Sequence, residues 1–409
     1  MRTRGSLAAG TALVVVALNL RIAIAALSPV LSAIQRSTGL SSAGSGLLTA
    51  VPVICFGAIA FTAPGLIRRF GINVLLGLTL IAVIVGSGLR LVPSLAALFV
   101  GTAVVGAGIA VANVLLPGLI KRDFSGHSHL MTALYSMCLY VGAALSTGLT
   151  VPLEHATGMD WRQALALWGG AAAVGLIIWA PSMRGEPPAA TAAGQARPDV
   201  RGLWSDPVAW QVTVFMGLQS FGYYATLSWL PTFFEAHHLS STQAGWMLSF
   251  SAFPGMAAAL LTPALGRRLH RSAVLVALSV GLSASAYVGL LAAPIGGRYA
   301  WMLLLGFGQG VAISLALGYI VARAPDTHHA AHLSTMAQGV GYLIACTGPF
   351  SFGAIHGLTG GWHVPLVLLL AVLVPLLVAG VGASRPRHVL AGARAADGGR
   401  RPSEALAPE

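Results

Sequence analysis

Apolar runs long enough to cross a lipid bilayer recur along the whole chain. A membrane-spanning helix needs about 20 mostly apolar residues. Twelve such runs lie between clusters of Gly, Pro and charged residues, near 8–34, 44–67, 73–91, 95–120, 130–153, 164–182, 207–234, 242–265, 272–292, 299–322, 331–355 and 364–383. Hydrophobic residues make up 56% of the chain and charged residues only 8%, and no soluble fold buries so much apolar surface. The sequence predicts an all-α membrane protein with twelve transmembrane helices.

The second half of the chain repeats landmarks of the first half. Four matches share one offset: Leu40-Ser-Ser with Leu239-Ser-Ser, Gly46 with Gly245, Pro64 with Pro263, and Arg68-Arg69 with Arg267-Arg268. A further match aligns Gly106-Ala-Gly in the fourth run with Gly308-Gln-Gly in the tenth. Two parallel repeats of six helices are typical of secondary transporters, which bind their substrate between the two halves. We therefore predict two pseudo-symmetric six-helix bundles.

Two segments lack apolar runs: one connects the two bundles and the other follows the second bundle. Residues 183–206 are rich in Pro, Ala, Gly and polar residues, a composition typical of a flexible connector. Residues 385–409 are also too polar to form a further span. We predict an amino-terminal bundle at 1–182, a cytoplasmic linker at 183–206, a carboxy-terminal bundle at 207–384 and a disordered cytoplasmic tail at 385–409.

The distribution of Lys and Arg predicts the orientation in the membrane. With a cytoplasmic amino terminus, eighteen of the 23 basic residues lie on the inner side, and only Arg36, Arg90, Arg162 and Arg298 lie on the outer side. Cytoplasmic loops carry such an excess. We predict a multi-pass protein of the cell (inner) membrane with both termini in the cytoplasm. Arg90 and Arg162, at outer ends of spans, are candidates either for attracting anions or for contacting lipid headgroups.

The remaining inventory argues against several other classes of protein. The net charge of +12 does not indicate nucleic-acid binding, because Lys121 is the single lysine and the arginines do not alternate with exposed aromatic residues. The three cysteines lie inside apolar runs, where adjacent loops cannot form a metal site. The chain also lacks the common nucleotide-binding and hydrolase motifs. We predict no enzyme activity, no cofactor and no bound metal.

One basic residue remains in the middle of the membrane. Arg21 lies near the centre of the first run, and none of the eleven carboxylates shares its depth. A charged residue at the bilayer centre costs at least about 2.5 kcal/mol, so it should face a cavity or a partner. Ala17, Arg21, Ala25, Ser28 and Ser32 form a small, polar stripe on one helical face. We predict that Arg21 binds a substrate anion; the alternative is hydrogen bonding to carbonyl groups of a neighbouring broken helix.

Other polar residues are candidates for lining the same site. They are Asn113 in the fourth run, Tyr135 in the fifth, Tyr223 in the seventh, Gln309 in the tenth, and Gln338 on one face with Tyr342 in the eleventh. Each amide or phenol can equally form a hydrogen bond between helices, so binding and packing roles both stay open for these residues.

Several stretches carry a family resemblance. They are Asn19-Leu-Arg followed by Pro29, the run from Gly46 to Gly57, the run from Gly108 to Lys121, Thr132-Ala-Leu-Tyr, and Trp161-Arg before Trp168. These patterns resemble the major facilitator superfamily and, within it, the cyanate and nitroimidazole permease family. The resemblance covers the first half and, more loosely, the second, and Asn113-Val-Leu-Leu-Pro is its most specific part. It implies the major facilitator fold and transport of a small anion or a small polar heterocycle.

The loop after the second run departs from the superfamily pattern G-x-x-x-D-[RK]-x-G. Pro64 stands at the first glycine and Arg68 at the acid, whereas the last basic residue and the last glycine match. The resemblance assigns a gating role to this loop motif and its repeat, namely Arg68, Arg69, Gly71, Arg267 and Arg268.

These observations predict a secondary active transporter that works by alternating access, with Arg21 as the central binding charge. We expect a monomer surrounded by lipid, with a small, anionic substrate and a proton as the candidate coupling ion. Drug efflux is the alternative within the superfamily, indicated by Trp229, Trp246, Met247 and Phe250. A membrane-embedded enzyme or a receptor is disfavoured, because the chain shows neither a nucleophile–base pair at one depth nor a loop long enough to form an extramembrane domain.

Overall fold

The chain is helical throughout the part that the structure describes. The structure is a computed structural model that describes residues 2–124, 128–183, 201–269 and 272–390, and no strand occurs in these ranges. Its α-helices there are α1 (Arg2–Ala25), α2 (Leu31–Thr38), α3 (Ser42–Ala60), α4 (Ala63–Phe70), α5 (Ile72–Leu89), α6 (Leu95–Asp123), α7 (Ser128–Thr157), α8 (Trp161–Trp179), α9 (Pro207–Ala236), α10 (Ser241–Leu269), α11 (Ser272–Ala292), α12 (Arg298–Ala322), α13 (Thr327–Ala345), α14 (Thr347–Thr359) and α15 (His363–Ser384). The predicted all-α class is confirmed.

The helices form twelve membrane spans. Within the described residues, ten segments are long and apolar enough to cross a membrane. The 30-residue helix α9 supplies the seventh span, and α13 with α14 supplies the eleventh. The first span comprises α1 and α2, the second comprises α3 and α4, and each of the other spans is a single helix. The predicted architecture of two six-helix bundles is confirmed, with α1–α8 in one bundle and α9–α15 in the other.

The first span is interrupted shortly after Arg21. A 3₁₀ turn that contains Pro29 separates α1 from α2. Proline has no N–H to donate and disfavours helical backbone at the preceding residue, so regular helical bonding stops at this point. The Leu27 N–H donates to the Ile24 carbonyl at 3.3 Å instead of to the carbonyl of Ala23. The interruption therefore frees a backbone carbonyl of α1 for a side chain from another helix.

The two bundles share a packing framework. Thr79 Oγ1 donates to the Gly108 carbonyl at 3.0 Å, and Ser279 Oγ donates to the Gly308 carbonyl at 2.8 Å. The first bond joins the third and fourth spans, and the second joins the ninth and tenth. These equivalent bonds pair Gly108 with Gly308, so the predicted match of Gly106 with Gly308 is wrong by two residues. Glycines recur at every second position in this part of α12, which lets a sequence match slip by two.

Gly46 and Gly245, matched in the sequence, occupy equivalent contacts between the bundles. A Cβ atom on Gly46 in α3 would lie 2.5 Å from the carbonyl oxygen of Pro349 in α14. A Cβ atom on Gly245 in α10 would collide with the carbonyl oxygen of Thr147 in α7. Each bundle thus presents a glycine to the backbone of the other. Both contacts lie on the side predicted to be outer, where the bundles are closely packed.

The chain after α15 is attached to the carboxy-terminal bundle through Val389 and Leu390, whereas residues 385–388 are exposed. The Leu390 N–H donates to a carboxylate oxygen of Asp206 at 2.6 Å, and the Val389 N–H donates to the Arg323 carbonyl at 2.9 Å. The side chain of Val389 is buried. These bonds attach the start of the predicted tail to the beginning of α9 and the end of α12. The rest of the predicted tail and most of the predicted linker lie outside the described residues.

Candidate functional site

Arg21 lies where the first spans of the two bundles meet. The residue belongs to α1, and its Nη1 donates a hydrogen bond to Tyr224 Oη in α9 at 2.6 Å. The polar stripe predicted around Arg21 faces the same helix, since Ser28 Oγ donates to the Leu227 carbonyl. Arg21 therefore points across the interface between the bundles instead of into its own bundle.

Aromatic rings surround the guanidinium group of Arg21. Its Cζ lies 5.5 Å from the ring centroid of Tyr223 and 5.4 Å from that of Tyr224, distances at which a ring face attracts a cation. Tyr224 in turn packs edge to face against Phe56 of α3 and Tyr342 of α13, with ring centroids 6.4 Å apart in both pairs. The cation thus contacts two rings of the carboxy-terminal bundle and has one hydroxyl partner, and Phe56 of the amino-terminal bundle packs against the second of these rings.

No carboxylate pairs with Arg21 among the residues that the structure describes. The ion pairs found there join Arg162 to Asp160 and His329 to Asp326, beside the starts of α8 and α13. Arg21 is half-buried, so its charge loses much of its hydration without gaining a counter-ion, and cation–π contacts offset only part of that cost. The arrangement is electrostatically suited to a ligand that brings a negative charge.

Tyr135 and Asn113 approach the site from the amino-terminal bundle. Tyr135 Oη donates to Asn113 Oδ1 at 3.4 Å, a bond that joins α7 to α6. The hydroxyl groups of Tyr135, Tyr140 and Tyr223 all lie near the guanidinium group of Arg21. The structure therefore brings Arg21, Tyr135 and Tyr223 together, and connects Asn113 to them through Tyr135.

Gln309 lies beside a small cavity between the bundles. Its Nε2 donates to Thr226 Oγ1 at 3.0 Å, joining α12 to α9. The cavity has a volume of about 20 Å³, close to the space that one water molecule needs. Its polar lining comes from both bundles: Tyr140, Thr147, Tyr223, Thr226, Ser251 and Gln309. Because Tyr223 also contacts Arg21, Gln309 belongs to an uncharged extension of the Arg21 site.

In the eleventh span, the contacts near Arg21 come from Tyr342 and not from Gln338. Gln338 Nε2 donates to Ser334 Oγ, one turn earlier in α13, at 2.8 Å. Tyr342 lies one turn later, where its ring centroid is 5.3 Å from that of Phe56. Its hydroxyl also lies within the electrostatic range of Arg21. Of the two residues predicted to share a face of this span, Tyr342 lies near Arg21 and Gln338 does not.

The predicted gating loops are described only in part. Gly71 joins α4 to α5 with φ 75° and ψ 160°, a backbone conformation that glycine adopts without strain. Arg69 is exposed, and its Cζ lies 5.3 Å from the ring centroid of Phe70. The other predicted gating side chains lie outside the described part of the structure: Arg68, Arg267 and Arg268.

Arg90 does not lie at the outer surface, where the sequence predicts it. Its side chain is fully buried, and its Nη1 donates to the Ala23 carbonyl of α1 at 3.0 Å. The expectation that Arg90 attracts anions or contacts lipid headgroups is therefore wrong, because the interruption of α1 offers a partner inside the bundle. Arg162, in contrast, lies near the surface with its Cζ 4.2 Å from the ring centroid of Trp161.

Sequence reasoning missed Tyr224, the hydrogen-bond partner of Arg21. The face analysis of the seventh span selected Tyr223, and consecutive helical residues point about 100° apart. Both rings nevertheless flank the guanidinium group of Arg21, since the two ring centroids lie only 5.2 Å apart. The available signal was the Tyr-Tyr pair itself, two of only eight tyrosines in the chain.

Comparisons with known proteins agree with this architecture. The family model described as Major Facilitator Superfamily matches residues 13–349. The chain is 38% identical over 383 residues to the uncharacterized transporter YycB of Bacillus subtilis, covering 93% of this chain and 94% of that protein. It is 36% identical over 377 residues to a 2-nitroimidazole transporter of Escherichia coli, covering 92% of this chain and 95% of that protein.

More distant similarities extend this result. The cyanate transport protein CynX of Escherichia coli is 29% identical over 352 residues, covering 86% of this chain and 90% of that protein. The crystal structure of the nucleoside transporter NupG shares the fold with a TM-score of 0.73 at 11% identity, over 92% of this chain and all of that one. The matching family model, the full-length relatives and the two six-helix bundles show that the chain belongs to the Major Facilitator Superfamily and is a membrane transporter.

Proposed function

We propose that this transporter moves a small, cyanate-like anion or a small polar heterocycle by secondary active transport, with Arg21 as the central binding charge. The observation that carries the proposal is the position of Arg21 between the bundles, with one hydroxyl and two aromatic rings as partners and no carboxylate among the described side chains. An anionic acceptor forms a stronger bond with a guanidinium group than a phenol does. A substrate anion therefore replaces Tyr224 as the partner of Arg21.

The location of this bond couples binding to alternating access. The bond between Arg21 and Tyr224 crosses the bundle interface, as do the close outer contacts of Gly46 and Gly245. Rocking one bundle against the other separates both sets of contacts. Arg21 moves with the amino-terminal bundle and Tyr224 with the carboxy-terminal one. The replacement of Tyr224 by the substrate as the partner of Arg21 therefore accompanies the opening of the site to the other side of the membrane.

Two observations support a small substrate. The cavity beside Tyr223 holds about 20 Å³, and its uncharged polar lining, which includes Gln309 and Thr226, suits ring nitrogen or oxygen atoms. Relatives that match over most of this chain are named for 2-nitroimidazole and for cyanate. Arg21 supplies the charge for an anion, and Tyr223, Gln309 and Thr226 supply hydrogen-bonding groups for a heterocycle.

Drug efflux gains no support from the aromatic residues that suggested it. Trp229 is buried beside Trp362, at a centroid distance of 6.4 Å, and its other ring partners are Phe352 and His356. Trp246 is exposed on the outer surface of the bundle, where it faces lipid, and Phe250 packs against Tyr299. These side chains do not line one large apolar cavity, which a site for bulky drugs requires.

The rest of the proposal concerns the setting of the transporter. It resides as a monomer in the inner membrane with both termini in the cytoplasm, as the excess of basic residues on one side predicts. A proton is the candidate coupling ion. Because the described carboxylates lie at or near helix ends, the proton is not carried by a carboxylate beside Arg21.

The test is uptake into proteoliposomes of radiolabelled cyanate, other small anions, 2-nitroimidazole and other neutral heterocycles, at two pH values. Arg21→Ala removes the central charge and is expected to abolish anion uptake, whereas Arg21→Lys retains part of it because an ammonium lacks the planar fork of donors. Anion uptake by Arg21→Ala at the wild-type rate would contradict the proposal.

Arg36→Ala is the matched control for these substitutions. Arg36 lies in the same span as Arg21, but near its exposed outer end. Its removal is expected to leave uptake near the wild-type rate. Size-exclusion profiles of all variants establish that the protein is folded, so a loss confined to the Arg21 variants reports on binding.

A further inference from the structure

A second arginine is buried in the amino-terminal bundle without a carboxylate. Arg90 follows the last residue of α5 and has no exposed surface. Its Nη1 donates to the Ala23 carbonyl, and its Nε and Nη2 meet no acceptor among the described residues. Burial of a guanidinium group costs free energy, and here a single hydrogen bond offsets that cost. The role of Arg90 therefore depends on what this bond stabilises.

The bond holds the interrupted end of α1. The Ala23 carbonyl lacks its usual helical donor, because the Leu27 N–H donates to Ile24 at 3.3 Å. Arg90 supplies the missing donor at 3.0 Å. A cation at this position also interacts favourably with the negative end of the α1 dipole. Arg90 therefore satisfies the backbone group that the proline-induced interruption leaves open.

The neighbouring helices are built to admit this side chain. A Cβ atom on Gly101 in α6 would lie 3.2 Å from Cγ of Arg90 and 2.6 Å from the carbonyl oxygen of Gly86 in α5. The two glycines thus let α5 and α6 approach closely while the arginine stem passes between them toward α1. The contact connects three helices of one bundle at a single side chain.

Arg21 lies two residues before the carbonyl that Arg90 holds. We infer that Arg90 is a positioning residue for the substrate site: by tying the end of α1 to α5 and α6, it fixes the rotation and depth at which Arg21 faces the other bundle. This inference rests on the proposed role of Arg21 in binding. Arg90 itself donates to the backbone of its own bundle and does not contact Tyr224, so it acts on the substrate only through Arg21.

The first measurement needs no substrate. Hydrogen exchange of the backbone amides from Ile24 to Leu31 is compared in wild type, Arg90→Met and Thr102→Val. Methionine keeps the length of the stem but removes the donors. Thr102 is a matched control, because it is buried beside Gly101 in α6 and has no hydrogen-bond partner in the described part. Exchange at least about tenfold faster in Arg90→Met alone is expected, and unchanged exchange in Arg90→Met would overturn the inference.

The second measurement is a double-mutant cycle on uptake of cyanate or 2-nitroimidazole. In the wild-type background, Arg90→Met is expected to raise the half-saturating concentration about tenfold, and Arg90→Lys less, because lysine restores one donor. In the Arg21→Lys background the same substitution should change that concentration by less than about twofold. Equal tenfold effects in both backgrounds would show that Arg90 only stabilises the fold.

Together with the uptake test of Arg21→Ala described above, the two measurements separate the hypothesis about Arg21 from the hypothesis about Arg90. If Arg21→Ala transports like wild type, the proposed role of Arg21 fails, and the positioning role fails with it even if the exchange measurement shows that Arg90 holds α1. If Arg21→Ala abolishes uptake but the cycle shows no coupling, the proposed function stands and the positioning role of Arg90 is wrong.

Discussion

The amino-terminal bundle contributes two arginines to the interior of the protein, whereas the carboxy-terminal bundle contributes neutral groups around the arginine that faces it. Arg21 and Arg90 belong to the first bundle, and the groups that meet Arg21 from the second are Tyr223, Tyr224 and Tyr342. Two sets of helix-packing contacts are nevertheless equivalent in the two bundles, those of Gly46 and Gly245 and those of Gly108 and Gly308. The repeat therefore determines how helices approach one another, and differences between the repeats determine the chemistry of the site.

This division has a physical reason. Close helix contacts depend on small residues, which can be kept in both halves of a repeat without affecting substrate choice. A substrate that is small and charged cannot present the same groups to both bundles. A site between two identical charged halves would also place two cations together at the membrane centre, at a cost that neither half could offset.

The largest expected effect tests the equivalence of the frameworks. Gly46→Leu and Gly245→Leu each insert a side chain into backbone of the opposite bundle. Overpacking of this kind costs about 1–3 kcal/mol, so closure on the predicted outer side becomes roughly 5- to 150-fold less favourable. Uptake in proteoliposomes should fall by at least about fivefold for both variants, and to a similar extent.

Gly281→Leu is the control for this pair. Nothing lies within 4 Å of the Cβ position at Gly281, so a larger side chain has room there. Uptake by this variant should match wild type. A severe loss in only one of the two interface variants would break the equivalence of the outer contacts.

A smaller effect tests the asymmetric part of the comparison. Tyr224→Phe removes the hydroxyl that accepts the hydrogen bond from Arg21. Hydrogen bonds to charged groups contribute about 1.5–3 kcal/mol, so stability should fall by roughly 2 kcal/mol. Thermal unfolding in detergent measures this loss, and the change should be clearly smaller in an Arg21→Ala background.

Tyr223→Phe is the matched control, because the Tyr223 ring lies at nearly the same distance from the Arg21 guanidinium group. Its hydroxyl forms no hydrogen bond with Arg21. The substitution should reduce stability by less than half as much as Tyr224→Phe. Equal losses of stability in the two variants would show that the hydrogen bond between Arg21 and Tyr224 makes no specific contribution to stability.

The smallest expected change in stability tests the corrected alignment of the repeats, in which Gly108 corresponds to Gly308. Ser279→Ala removes a buried hydrogen bond to the Gly308 carbonyl, and Thr79→Val removes a hydroxyl that lies 3.0 Å from the Gly108 carbonyl and 3.1 Å from the Leu75 carbonyl of its own helix. Each should lower the free energy of unfolding by about 1 kcal/mol, and by similar amounts. Ser285→Ala, an exposed serine bonded within its own helix, should change stability little. An effect at only one of the two equivalent sites would argue against the pairing of Gly108 with Gly308.

Much of the fold and part of the site could be predicted from the sequence. The lengths of the apolar runs depend only on bilayer thickness, and the single charge at mid-span identifies Arg21. The match of Gly46 with Gly245 also corresponds to a real pair of contacts. The partner of Arg21 was not predictable in this way, because it depends on the rotation of α9.

Helix rotation is poorly encoded in a membrane protein sequence. In a soluble helix, the polar face indicates the outward direction. In a membrane, the lipid-facing side and the packed side are both apolar, so periodicity does not separate Tyr223 from Tyr224 or Gln338 from Tyr342. Such positions were open in the sequence and are distinguished only by the contacts that the helices make.

Composition and spacing along the chain were enough to predict the membrane class, the twelve spans, the doubled architecture and the isolated charge of Arg21. The three-dimensional packing of the helices was needed to find which rings surround that charge, that Arg90 is buried instead of exposed, and how the glycines of the two halves correspond. The first depends on the rotation of α9, the second on the carbonyl that the interruption of α1 leaves open, and the third on which helices touch, and all three are properties of packing in three dimensions.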